Sequence, residues 1–66
     1  MNYVTMSQAE YNTCIDELKK IGTVAFGSGN KYPERFTVIC YGCGEYFVYE
    51  NINDVRTVVM KIIVRG

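Results

Sequence analysis

Histidine is absent from this chain, proline occurs once, and the formal charge is zero, with seven acidic residues against seven basic ones. The lack of histidine removes the side chain that most often serves as a general base near neutral pH, and a common nitrogen ligand for zinc. The lack of net charge removes the long-range field that draws proteins onto nucleic acid or anionic lipid. No apolar run approaches a membrane span, since the longest, Val58 to Val64, is interrupted by Lys61. Met1-Asn2-Tyr3 has neither the basic start nor the apolar stretch of a secretory signal. The chain is therefore expected to be complete from Met1 and cytoplasmic, with Cys14, Cys40 and Cys43 reduced. Three cysteines are also an odd number for a disulfide framework.

What is present points to a folded object. An apolar fraction of 48%, with six tyrosines and three phenylalanines, excludes a disordered tail. The 66 residues allow one domain, 1–66. A domain of this size buries only about 60% of the surface its unfolded chain exposes, so a metal, a crosslink or a second copy is the usual source of extra stability. Charge is uneven along the chain: residues 1–18 hold Glu10, Asp16 and Glu17 with no base, and residues 55–66 hold Arg56, Lys61 and Arg65 with no acid. If both ends form helices side by side, opposite signs favour that arrangement by about 0 to 1 kcal/mol per exposed pair.

The clearest element is MSQAEYNTCIDELKKIG. Ser7 followed three residues later by Glu10 forms a capping box, and Met6 and Tyr11 occupy the two positions of a hydrophobic staple. Tyr11, Cys14, Ile15, Leu18 and Ile21 recur at helical spacing, Lys19 and Lys20 suit the negative end of the helix dipole, and Gly22 is expected to close the helix in a left-handed conformation. The reading is helix 8–21. TVAF suggests a short strand at 23–26, and GSGNKYPE an open loop at 27–34. RFTVICYGCGEYFVYE reads as a hairpin with strands near 35–41 and 45–50. In the tail, Ile52, Val55, Val58, Val59 and Ile62 fit a helical stripe with an asparagine cap at Asn51 or Asn53, which favours helix 53–64 over a buried strand. The expected fold is thus an α+β domain, α-β-β-β-α, with a three-stranded antiparallel sheet and both helices on one face.

If the hairpin turns on Gly42 and Cys43, one face carries Thr37, Ile39, Tyr41, Tyr46 and Val48, and the other carries Phe36, Val38, Cys40, Phe47 and Tyr49. Both faces are apolar, whereas a small antiparallel sheet normally keeps one side polar. Two short helices cover one face only. The uncovered one is expected to be a protein contact; the candidate interface residues are Ile39, Tyr41, Tyr46 and Val48 of the first face and Tyr49 of the second, with a homo-oligomer as the first outcome.

Cys40-Tyr41-Gly42-Cys43-Gly44 resembles one knuckle of a zinc ribbon, in which C-x-x-C-G sits at a hairpin tip. The resemblance covers about ten residues. Zinc takes four ligands, so one chain cannot close the site with Cys40 and Cys43; two chains related by a twofold axis can, which makes a zinc-bridged dimer one alternative. The expectation is no cofactor. A second alternative lies in the loop: Gly27, Gly29 and Lys31, with Tyr32 and Arg35, offer backbone amides and cations to a phosphate, as in a nucleotide-binding or nucleotide-sequestering homo-oligomer.

Catalysis has little support. No serine or cysteine has an evident base beside it, and Asp16 and Glu17 are adjacent on a helix, where they do not face each other. In size and style the chain is similar to small proteins encoded by phages and prophages, which inhibit a host or defence enzyme by occupying its surface. That resemblance implies an inhibitor of a host or defence protein. The apolar sheet points to a non-enzymatic interaction protein that binds a protein partner, and the neutral charge and the lack of a spanning run leave neither nucleic acid nor membrane expected as a partner.

Overall fold

A computed structural model of the chain describes residues 3–27 and 34–65. The element order is β1 (Tyr3–Met6), α1 (Gln8–Ile21), β2 (Val24–Phe26), β3 (Phe36–Gly42), β4 (Glu45–Ile52) and β5 (Val55–Val64). The strands form one five-stranded sheet in the order β1-β5-β4-β3-β2. The three central strands are an antiparallel meander, and the edges β1 and β2 run parallel to β5 and β3. The expected three-stranded antiparallel sheet under two helices is therefore wrong: the described residues hold one helix and a mixed sheet.

The helix forms where the capping box places it. Ser7 Oγ accepts from the Glu10 amide at 3.2 Å, and Glu10 Oε1 accepts from the Ser7 amide at 2.9 Å. Both staple residues, Met6 and Tyr11, are buried in the core. Gly22 closes the helix with its amide on Leu18 O, but at φ −175° it is extended and not left-handed, so no glycine is required there on backbone grounds.

The tail is a strand because seven of the ten residues of β5 are β-branched, and their χ1 stiffness suits a pleated, half-buried surface better than a helix. The asparagines read as helix caps serve a turn instead. Asn53 and Asp54 both have positive φ, 50° and 63°, between the paired residues Ile52 and Val55, which is the backbone a two-residue hairpin of matching twist demands. β1 escaped the sequence reading because four residues carry too little pattern. Its partner is the far end of the chain, with Tyr3 opposite Lys61 and Met6 opposite Val64. The two chain ends do meet, with Arg65 3.5 Å from Glu10, but as strand beside helix.

One face of the sheet packs under α1. Met6, Phe36, Val38, Val48 and Ile62 join Tyr11 and Ile15 of the helix in the core, and Val48 and Ile62 are fully enclosed. The β3–β4 register decides which side chains reach it. Ile39 lies opposite Phe47 and Val38 opposite Val48, because Tyr41 is an extra residue in a bulge before the Cys43-Gly44 turn. The expected turn, on Gly42 and Cys43, differs by one position. That single slip moves Tyr46 and Val48 to the helix side and Phe47 and Tyr49 to the other.

Candidate functional site

The helix-free face carries Tyr3 on β1, Tyr41 at the bulge, Phe47 and Tyr49 on β4, and Lys61 and Arg56 on β5. Alternation explains the set: Tyr3, Lys61, Phe47 and Ile39 are successive partners across four strands, and Tyr49 sits two residues beyond Phe47. Phe47 is the hub. Its ring meets Tyr41 at 4.6 Å and Tyr3 at 6.1 Å, both edge-on, and lies 6.3 Å from Tyr49. The Tyr41 and Tyr49 hydroxyls are 2.8 Å apart. Lys61 Nζ stands over the Phe47 and Tyr3 rings at 5.2 and 5.6 Å, and the Arg56 guanidinium over Tyr49 at 5.8 Å. Burial among these neighbours, with the hydrogen bond to Tyr41, pushes the Tyr49 phenol up to about 12.

Of the five expected interface residues, Ile39, Tyr41 and Tyr49 belong to this face, though Ile39 is buried within it. Tyr46 and Val48 do not: Val48 is fully buried, and Tyr46 stacks on Tyr11 with centroids 4.4 Å apart. Burial, with Tyr46, Cys40 and Cys14 as neighbours, raises the Tyr11 phenol to about 12. Tyr3, Lys61 and Arg56 were missed. The signal was available in β5, where Lys61 between Met60 and Ile62 marks a solvent side at strand spacing, but only once the tail is read as a strand.

The cysteines are separate thiols. Cys40 and Cys43 are exposed, and Cys14 is half-buried in the helix, where burial pushes its thiol up. Cys40 Sγ donates to Gly42 O at 3.0 Å. Among the described residues no three metal-ligating side chains gather into one group. In the expected ligand loop, Gly29, Lys31 and Tyr32 lie outside the described residues. Gly27 follows β2 with φ 108°, and Arg35 is engaged with Glu50 at 2.6 Å while lying over the Phe36 ring at 5.4 Å. No described helix is long and apolar enough to cross a membrane.

Comparison of the chain with family models, with curated proteins and with solved structures finds no match. The face and its neighbours therefore rest on their own geometry.

Proposed function

We propose that this protein is a non-catalytic binding module whose helix-free sheet face docks on another protein. The observation that supports it is the row of Tyr3, Phe47, Tyr41 and Tyr49, of which Tyr41 is 56% exposed. Tyrosine offers large, stiff contact area with a hydroxyl that tolerates a wet rim, which is why such residues are enriched in protein interfaces. Edge-on packing and the cations standing over the rings leave few ring faces open for base stacking, which argues for a protein partner over a single-stranded nucleic acid.

Lys61 and Arg56 lie on this face with Glu45 as its strand-borne acid, while Glu10, Asp16 and Glu17 sit on the helix. A partner presenting carboxylates complements it. A second copy docked face to face brings like charges together, so self-association through this surface is the weaker of the two outcomes. In this reading the protein acts by occupying a surface, as small phage and prophage inhibitors do.

The test is affinity capture from the native host with wild-type protein, a Tyr41→Ser/Lys61→Glu variant, and a Val55→Thr control at the distant hairpin tip. Partners retained by wild type and control but lost by the double variant are the expected result. Identical recovery on all three removes the reading. Sedimentation velocity separates the self-association outcome, since a single 7.5 kDa species at micromolar concentration excludes it.

A further inference from the structure

On the opposite side of the sheet, β2 and β3 end at different places. β2 pairs with β3 only through Phe36, Thr37 and Val38, and the last rung is the Gly27 amide on Val38 O at 3.0 Å. Gly27 itself has φ 108°, a conformation that a side chain disfavours. β3 runs on through Ile39 and Cys40 to Gly42. Beyond Phe26, no described strand flanks its outer side, and α1 covers Val38 and Val48 but leaves Cys40 exposed. The mismatch opens a notch of about 280 Å³ lined by Phe26, Gly27, Val38, Ile39, Cys40 and Tyr46.

We propose that this notch is a binding site for a small, uncharged aromatic molecule of one or two rings. The volume falls just below the roughly 300 Å³ at which drug-sized pockets begin. Among the described residues no charged side chain lines it, so the described wall offers a phosphate or carboxylate no counter-charge. Two aromatic residues, Phe26 and Tyr46, flank the space, and Phe26 is 56% exposed with its ring area available to a guest. The Cys40 thiol completes the wall; its proton is held by Gly42 O, and its polarisable sulfur is left for contact with an aromatic edge. The site joins Gly27 of the glycine loop to Cys40 of the C-x-x-C pair, but with a chemistry neither motif suggested. It shares Ile39 with the aromatic face on the far side of the sheet but none of that face's rings.

The two exposed cysteines provide the test, because Cys40 lines the notch and Cys43 does not. Indole is the probe. Titrated into labelled protein, it is expected to shift the amides of Phe26, Gly27, Cys40 and Tyr46 saturably, and to slow maleimide alkylation of Cys40 several-fold with Cys43 unchanged. In Cys40→Phe, which fills the notch from an exposed position, the shifts at Phe26 and Gly27 disappear. Absence of saturable shifts up to the solubility of indole overturns the proposal. So does equal protection of both cysteines in the wild-type chain, a measurement that does not depend on how the variant folds.

Discussion

Tyr46 stacks on Tyr11 at 4.4 Å, which commits one tyrosine of the β4 run to the core while its neighbours Phe47 and Tyr49 face outward. Removing the ring in Tyr46→Ala is expected to cost about 2 kcal/mol, below a full aromatic deletion because the residue is half-buried. Tyr41→Ala, on the exposed bulge, is expected to stay within about 0.5 kcal/mol. Urea unfolding of both variants checks the assignment of faces, and a larger loss for Tyr41→Ala reverses it.

The tip of the β3–β4 hairpin is predicted to tolerate glycine alone at position 44. Gly44 has φ 76°, and a Cβ there would stand 2.8 Å from the Val64 carbonyl oxygen, a backbone atom that cannot swing aside. Gly44→Ala is expected to lose about 2 kcal/mol, the cost of a non-glycine residue forced into a sparsely populated conformation. An unchanged denaturation midpoint contradicts the close approach.

Asn51 ties β4 to the chain that enters β3. Its Nδ2 donates to Glu34 O and to Thr37 Oγ1, and its own amide bonds Arg35 O at 3.0 Å. Thr37 is completely buried, so Asn51→Ala takes a partner from an enclosed hydroxyl and is expected to cost about 1 to 3 kcal/mol. Thr37→Val in the same background should recover part of the loss, and simple additivity of the two changes in a thermodynamic cycle would contradict the coupling.

Stability should fall at both extremes of pH, for opposite reasons. Tyr11 and Tyr49 titrate near 12 in the fold against an ordinary value of 10, so their contribution is complete below pH 10 and is lost as pH rises from there through 12. Glu10 titrates below its ordinary value because the Ser7 amide and hydroxyl favour the carboxylate, so the capping box is complete above the usual carboxylate range and fails as pH falls through the lowered value. Unfolding midpoints against pH, read beside phenolate absorbance, check the alkaline arm. Glu10→Gln should flatten the acid arm.

The helix was legible because its signals are local: Ser7, Glu10, Met6 and Tyr11 lie within six residues and specify a start without help from the rest of the chain. The short strand near Val24 and the β3–β4 hairpin were legible for the same reason. β5 was not. Asn53-Asp54 serves equally as a cap or as a left-handed turn, and the choice is made by β4, whose outer side needs a strand. The interface set failed in part through one bulge residue, Tyr41, since alternation carries any error of one position through the whole strand. Lys61 gained meaning only when Phe47 became its neighbour.

The pairing of β1 with β5 sets the order of events in assembly. Tyr3 and Lys61 stand side by side although every other element lies between β1 and β5 in sequence, so a growing polypeptide has made β1 long before its partner exists. The helix can nucleate early from its own local contacts, but one margin of the sheet stays unzipped until β5 arrives. Folding should therefore be slow for a domain of this length, with high contact order as the cause, and a premature stop near Lys61 would leave a collapsed, adhesive meander with nothing along its side.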